Sequence, residues 1–217
     1  MKKKLVAGLL LLAVVVGLCS CSFGVMDREA VNSAKVAPKE DFTVEERDGR
    51  YYVTGYKGNA KIVVMPNGLA NGEDMFLADE AFKGCTFKGF RLSDEVIGMG
   101  NRCFADCPNL EVYVGSETFS SIGDEVFKNC PKLRNVHFSV LGGMGDRVFE
   151  GDTALTQLFL PVVMSEIGED AFLNSGVTTL ISDSSYVKEY AKENEMKIIA
   201  YSDMNAEAKL LADGYGC

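Results

Sequence analysis

Apolar residues return along this chain with a period far longer than that of a helix or a strand. Phenylalanines stand at Phe82, Phe104, Phe127, Phe149 and Phe172, at intervals of 22, 23, 22 and 23 residues. Five residues before each is an apolar side chain (Leu77, Met99, Ile122, Met144, Ile167), and four before it a small one (Ala78, Gly100, Gly123, Gly145, Gly168). Three before it is a polar residue (Asp79, Asn101, Asp124, Asp146, Glu169), and three after it come Cys85, Cys107, Cys130, Asp152 and Ser175. A fixed period of this length predicts stacked coils. The glycine is expected to make a sharp turn, and the Asp or Asn after it to cap a one-turn helix that drives the Phe inward. One such coil cannot bury its Phe alone, so the coils must share a continuous core.

Between the Phe-centred segments runs a second pattern, apolar-x-x-apolar-x-apolar: Phe87, Phe90, Leu92; Leu133, Val136, Phe138; Leu155, Leu158, Leu160. It predicts one strand per coil, stacked into a parallel sheet about 4.8 Å apart. Side chains alternate along a strand. Gly89, Val112, Asn135, Gln157 and Thr179 therefore form one outward row, and Arg91, Val114, His137, Phe159 and Ile181 the next. The candidate binding face is Arg91, Val112, Val114, Asn135, His137, Gln157, Phe159 and Ile181, an outward stripe of apolar residues beside Arg and His. Ordinary scattered surface residues are the alternative reading. Leu110 to Gly115 keeps the strand position but loses strict alternation, which leaves the register of that coil open.

The ends differ from the repeat. Arg47-Asp48-Gly49-Arg50 between Phe42, Val44 and Tyr51-Tyr52-Val53 signals a hairpin, the N-terminal cap. Ala60 to Pro66 aligns with Leu155 to Pro161 as a preliminary strand, and Asn67 to Phe76 reads as a longer loop. Val177 to Leu180 fits a last strand. Tyr186 to Asn194 then reads as a helix capped by Ser184 or Ser185, and Met196 to Tyr201 as a closing strand.

The runs IGDEVFKNCPKLRNV, LADEAFKGC, IGEDAFLNS and YVKEYAKENEMKIIAY resemble the BspA-like (Treponema pallidum-type) leucine-rich repeats of bacterial surface proteins, over Tyr51 to about Tyr201. The resemblance implies an α/β repeat fold: a short leucine-rich-repeat solenoid of about five coils, with a β-hairpin N-cap and a helix-strand C-cap. It also implies an exported, non-enzymatic binding protein; some relatives are adhesins toward host matrix proteins or partner bacteria. Only the scaffold residues carry over, because the family has no shared binding motif. The expected divisions are 1–20 signal peptide, 21–41 lipid-anchored Cys and spacer, 42–76 N-terminal β cap, 77–180 repeats, 181–203 C-terminal cap and 204–217 tail.

Met1-Lys2-Lys3-Lys4 and the apolar run Leu5 to Leu18 have the form of a secretory signal, and the run is short for the ~20 residues of a membrane span. Leu18-Cys19-Ser20-Cys21 resembles a bacterial lipobox, which makes Cys21 the lipidated N-terminus; cleavage without lipidation is the alternative. Phe23 to Asp41 reads as a spacer, or as a short helix packed on the domain. Loss of residues 1–20 removes three Lys and no acid, taking the net charge from −9 to −12. Such a chain is unsuited to nucleic acid, and its membrane attachment would come from lipid rather than a basic patch.

His137 is the sole histidine of the sequence, and no Gly-x-Ser-x-Gly elbow is present, which argues against an enzyme. The carboxylate pairs Asp79/Glu80, Asp124/Glu125 and Glu169/Asp170 recur with the repeat and are read as caps and solvated surface. Seven cysteines raise the question of disulfides or zinc, yet no Cys-x-x-Cys pair occurs. Cys85, Cys107 and Cys130 sit at the repeat's own inward position; a disulfide among them or Cys103 stays open, and Cys217 is unpaired by sequence. No metal or cofactor is expected. A sheet face of five or six short strands offers about 300–400 Å², against about 800 Å² per partner in a standard interface. The expected role is therefore a cell-surface module, monomeric, whose contact with a host or same-cell protein or glycan is weak or multivalent. An envelope scaffold or assembly factor is the first alternative, a cryptic enzyme the second.

Overall fold

The computed structural model of the protein describes residues 28–117 and 120–205. The expected signal peptide, the expected lipidation site Cys21, Cys217 and most of the tail lie outside the described residues. Strands β1 (Phe42–Arg47) and β2 (Arg50–Tyr56) form an antiparallel hairpin, followed by β3 (Ile62–Val64), β4 (Met75–Leu77), β5 (Gly89–Arg91), β6 (Val96–Met99) and β7 (Val112–Val114). Then come β8 (Ser121–Ile122), β9 (Asn135–His137), β10 (Gly143–Met144), β11 (Gln157–Phe159), β12 (Glu166–Ile167), β13 (Thr179–Ile181) and β14 (Lys197–Ile199). Asp48 and Gly49 both have positive φ, +51° and +73°. A type I′ turn needs that of both central residues.

Each coil has three sides. One is a strand of the β3-β5-β7-β9 sheet or of its continuation β11-β13-β14. A second is a short strand that the sequence reading missed; these join the hairpin in a seven-stranded sheet, β1-β2-β4-β6-β8-β10-β12. Apart from β1 with β2, every pairing is parallel. The third side is the Phe-centred arc.

The expected one-turn helix is absent from all five arcs, which are turns. Each arc has a left-handed residue two before its Phe (Glu80, Arg102, Glu125, Arg147, Asp170) and another two after it (Gly84, Asp106, Asn129, Gly151, Asn174). The reversals turn alternate N–H groups toward the next coil. Phe82 N donates to Cys103 O at 2.8 Å, Phe104 N to Val126 O at 2.8 Å, Phe127 N to Val148 O at 2.9 Å and Phe149 N to Ala171 O at 2.8 Å. A helix would have satisfied those donors inside the coil; the arc spends them on stacking.

The polar residues expected as helix caps do the same work sideways. The Oδ1 atoms of Asp79, Asn101, Asp124 and Asp146 accept the backbone N–H of Asn101, Asp124, Asp146 and Glu169 in the following coil, at 2.8–2.9 Å. The glycines before them also serve the stack, since none of Gly100, Gly123, Gly145 and Gly168 has positive φ. A Cβ on Gly145 would run into the backbone of Gly123 and Asp124, and one on Gly168 into that of Gly145 and Asp146. Close approach of coil backbones therefore demands glycine here, not a tight turn.

Inside, the Phe column forms a stack with ring centroids 5.1, 5.6, 5.5 and 5.8 Å apart from Phe82 to Phe172. The strand residues Phe90, Leu92, Leu133, Phe138, Leu155, Leu158 and Leu160 pack against it, each at most 2% exposed. Offset aromatic pairs of this kind add about 0.5–1.5 kcal/mol each beyond area burial.

The ends are closed by segments outside the repeat. At the C-terminus, helix α2 (Ser185–Glu193) is capped by Ser184, whose Oγ accepts Val187 N–H. Tyr186 Oη accepts the N–H of Ile167 at 3.0 Å, which satisfies a donor on the edge strand β12. At the N-terminus, helix α1 (Arg28–Asn32) lies on the β3-β5-β7 strands, and Val36 bridges Val64. Residues 28–41 are thus not a free spacer. Val31 is fully buried, which explains why the segment docks.

Candidate functional site

The two strand rows anticipated for binding are in register. Gly89 pairs with Val112 and Val112 with Asn135, Arg91 with Val114 and Val114 with His137, then Gln157 with Thr179 and Phe159 with Ile181. Their exposure is not as expected. Val112 is 0%, Val114 3%, His137 8% and Ile181 2% exposed, while Arg91, Asn135, Gln157 and Phe159 are half-buried. Val31 of α1 packs with Val112, Val114 and Ile62. At the other end Met204 and Tyr201 pack on Phe159, Ile181 and Ile199, with the Phe159 and Tyr201 rings 5.1 Å apart. An outward apolar row costs free energy in water, and the chain removes that cost with its own terminal segments.

His137 lies beneath α1, its Nδ1 3.2 Å from Arg28 Nη1 and its Nε2 3.2 Å from Ser139 Oγ. The Ser-His spacing resembles a catalytic dyad, but the chemistry is reversed. Guanidinium has donors only, so Nδ1 must accept and Nε2 must carry the proton. A ring in that tautomer cannot take a proton from Ser139. Burial, then the Arg28 charge, pulls the His137 pKa down to about 4, which weakens it further as a base.

An open groove of about 750 Å³ lies elsewhere, over the hairpin and the adjoining strands β4, β6 and β8 of the larger sheet. The sequence reading did not find it. Its floor is a row of leaning rings: the Arg47 guanidinium carbon sits 5.1 Å from the Tyr52 centroid, Tyr52 stacks on Phe76 at 5.6 Å, and Phe76 leans over Gly98. A Cβ at Gly98 would come within 3.1 Å of Phe76 Cδ1, so glycine makes room for the ring. Glu45, Arg47, Asp48 and Arg50 form a rim of mixed charge, with Arg47 Nη2 2.7 Å from Glu45 Oε2. The available signal was Tyr52 and Phe76 at outward positions of adjacent strands. It was hidden because the short strands of this sheet carry no repeat-long alternation.

The carboxylates read as caps divide into two roles. Asp79 and Asp124 belong to the inter-coil ladder, whereas Glu80 pairs with Arg102 and Glu125 with Arg147 across coils. Lys83, with Arg102 beside it, holds the Glu80 carboxyl below the usual range; at Glu125 burial pushes upward but is outweighed by Arg147 and Lys128, so that carboxyl is lowered too. Among the described residues no group of three or more His, Cys, Asp or Glu side chains is placed to hold a metal, and no helix is long and apolar enough to cross a membrane.

Comparison with known proteins agrees with this geometry. The chain matches the BspA type leucine rich repeat region, in six copies over residues 76–198, one more than the five Phe-centred arcs. Among solved structures it is similar to a leucine-rich repeat protein of T. pallidum, with 24% identity over 68% of this chain and 71% of that one and a TM-score of 0.64. It is also similar to the pneumococcal vaccine antigen PcpA, with 14% identity over 67% of this chain and 39% of that one and a TM-score of 0.50. No curated protein matches. Both structural likenesses bear on the fold alone, and the repeat match covers more than half the sequence: the chain belongs to the BspA-type leucine-rich repeat family.

Proposed function

We propose that this chain is a lipid-anchored, extracytoplasmic module that binds a protein partner and performs no chemistry of its own. The observation that carries the binding role is the groove beside the hairpin, where two aromatic rings and two arginines stand at the surface around about 750 Å³ of open space. Aromatic residues and Arg are the side chains that most often anchor protein interfaces. The strand face first expected to bind is occupied by α1 and by residues 201–204, so the groove is the better candidate. The tautomer imposed on His137 by Arg28 supports the non-catalytic reading. Anchoring rests on the Leu18-Cys19-Ser20-Cys21 sequence, and a tethered array of copies would raise the effective concentration of a small contact surface.

Membrane-bound full-length protein, cross-linked on intact producing cells, is expected to capture a partner that a Tyr52→Ser, Arg47→Ser double variant loses while its circular dichroism stays unchanged. Equal capture by the variant would remove the groove from the binding role. Cys21→Ala is expected to move the protein out of the membrane fraction, and retention there would overturn the lipid anchor.

A further inference from the structure

Cys85, Cys107 and Cys130 occupy one column, three residues after the Phe of consecutive coils. Equivalent backbone positions in adjacent coils lie about 4.8 Å apart, within the roughly 4.4–6.8 Å between Cα atoms that a disulfide requires. The column is not uniform. Cys130 is fully buried and its thiol donates to Phe104 O at 3.1 Å; Cys103, off the column, is also fully buried. Cys85 is half-buried, the one cysteine of the column with solvent access, and its Sγ lies 2.7 Å from Cys107 Sγ. A covalent S–S bond is about 2.0 Å long, so closing it asks for a movement of only about 0.7 Å.

We propose that Cys85 and Cys107 are a disulfide-forming pair, oxidised by a small-molecule disulfide to a cystine that staples the first coil to the second. The Cys85 thiolate attacks one sulfur of the oxidant, forming a mixed disulfide and expelling one thiolate. Cys107 then attacks the Cys85 sulfur, the Cys85–Cys107 bond forms, and the second oxidant thiolate leaves. Two protein thiols lose their hydrogens and the oxidant is reduced to two thiols, so atoms and electrons balance. Cys85 is the point of entry because an oxidant can reach it from solvent. Cys107 resolves the intermediate because its Sγ already lies 2.7 Å from the Cys85 sulfur and is the thiol positioned to attack it.

The test is oxidation of reduced full-length protein with glutathione disulfide, followed by N-ethylmaleimide trapping in denaturant, proteolysis and mass spectrometry. The expected product is a near-complete Cys85–Cys107 linked peptide pair, two hydrogens lighter than its reduced parts, with Cys103 and Cys130 alkylated. Cys130→Ser should leave the link intact, and Cys85→Ser, which conserves size, should abolish it at unchanged circular dichroism. Alkylation of both Cys85 and Cys107, glutathione retained on Cys85, or a Cys107–Cys130 link in the wild-type protein would each overturn the proposal.

Discussion

The arc side and the β3-β5-β7-β9 side of the coils solve the same problem in opposite ways. On the arcs every coil satisfies the next one with repeated parts: a ring on a ring, an Oδ1 on an N–H, a backbone N–H on a carbonyl. On the strand side the backbone ladder also repeats, but the outer surface is finished by segments that occur once, α1 at one end and residues 201–204 at the other. Repetition secures whatever coils offer each other. It says nothing about what lands on them from outside.

The comparison breaks most visibly at Phe127, which stacks on Phe104 and Phe149 and is fully buried. Phe127→Ala is expected to cost about 3–5 kcal/mol, read as a lower midpoint in urea unfolding. A cost under 1 kcal/mol would mean that the arcs do not carry the stack.

Asp152 gives a smaller arc-side effect. It takes the place that cysteine holds in earlier coils, is fully buried, and accepts the Cys130 N–H at 2.7 Å through Oδ1 while its Oδ2 has no partner. Burial pushes its pKa up to about 8, against 3.8 for a free carboxyl. A raised folded pKa stabilises fully below the unfolded value and loses that contribution as pH rises through the folded one. Stability should therefore fall between about pH 4 and pH 8, by a few kcal/mol at most. Asp152→Asn should flatten that slope, and an unchanged slope would put the proton elsewhere.

The smallest effect belongs to the strand side. With the His137 pKa lowered to about 4 by burial and by Arg28, α1 docking is favoured above the ordinary pKa of 6.5 and weakens as pH falls toward 4. Methyl NMR signals of Val112 and Val114 are expected to shift over that window while those of Val126 and Val148 stay fixed. Concerted shifts of all four would show that the two sides do not separate.

The contrast also explains what was legible. The Phe column, the hairpin, the helix capped by Ser184 and the register of the outward rows, except in the coil of Val112 and Val114, follow from period, alternation and turn chemistry, all of which are local. The covering of Val112 and Val114 does not, because α1 has only five residues and one deeply buried apolar side chain, Val31. A clue was present in Val112-Tyr113-Val114, whose lost alternation looked like an uncertain register. A strand apolar on both faces is a strand buried on both faces. The arcs misled for the converse reason: Gly followed by Asp is helix-start chemistry, and only the neighbouring coil turns it into a cross-coil ladder. The groove stayed hidden because it joins the hairpin to strands of two to four residues.

Helix α1 has one further consequence, for cooperativity. An array in which each coil touches only its neighbours unfolds like a one-dimensional chain of dominoes, and can fray from either end. Lying across β3, β5 and β7, with Arg28 reaching His137 in β9, the N-terminal segment couples coils that do not touch. It is a splint set lengthwise over successive fractures: while it is in place, no one of those coils can melt without straining the others, and the first half of the solenoid behaves as a single unit.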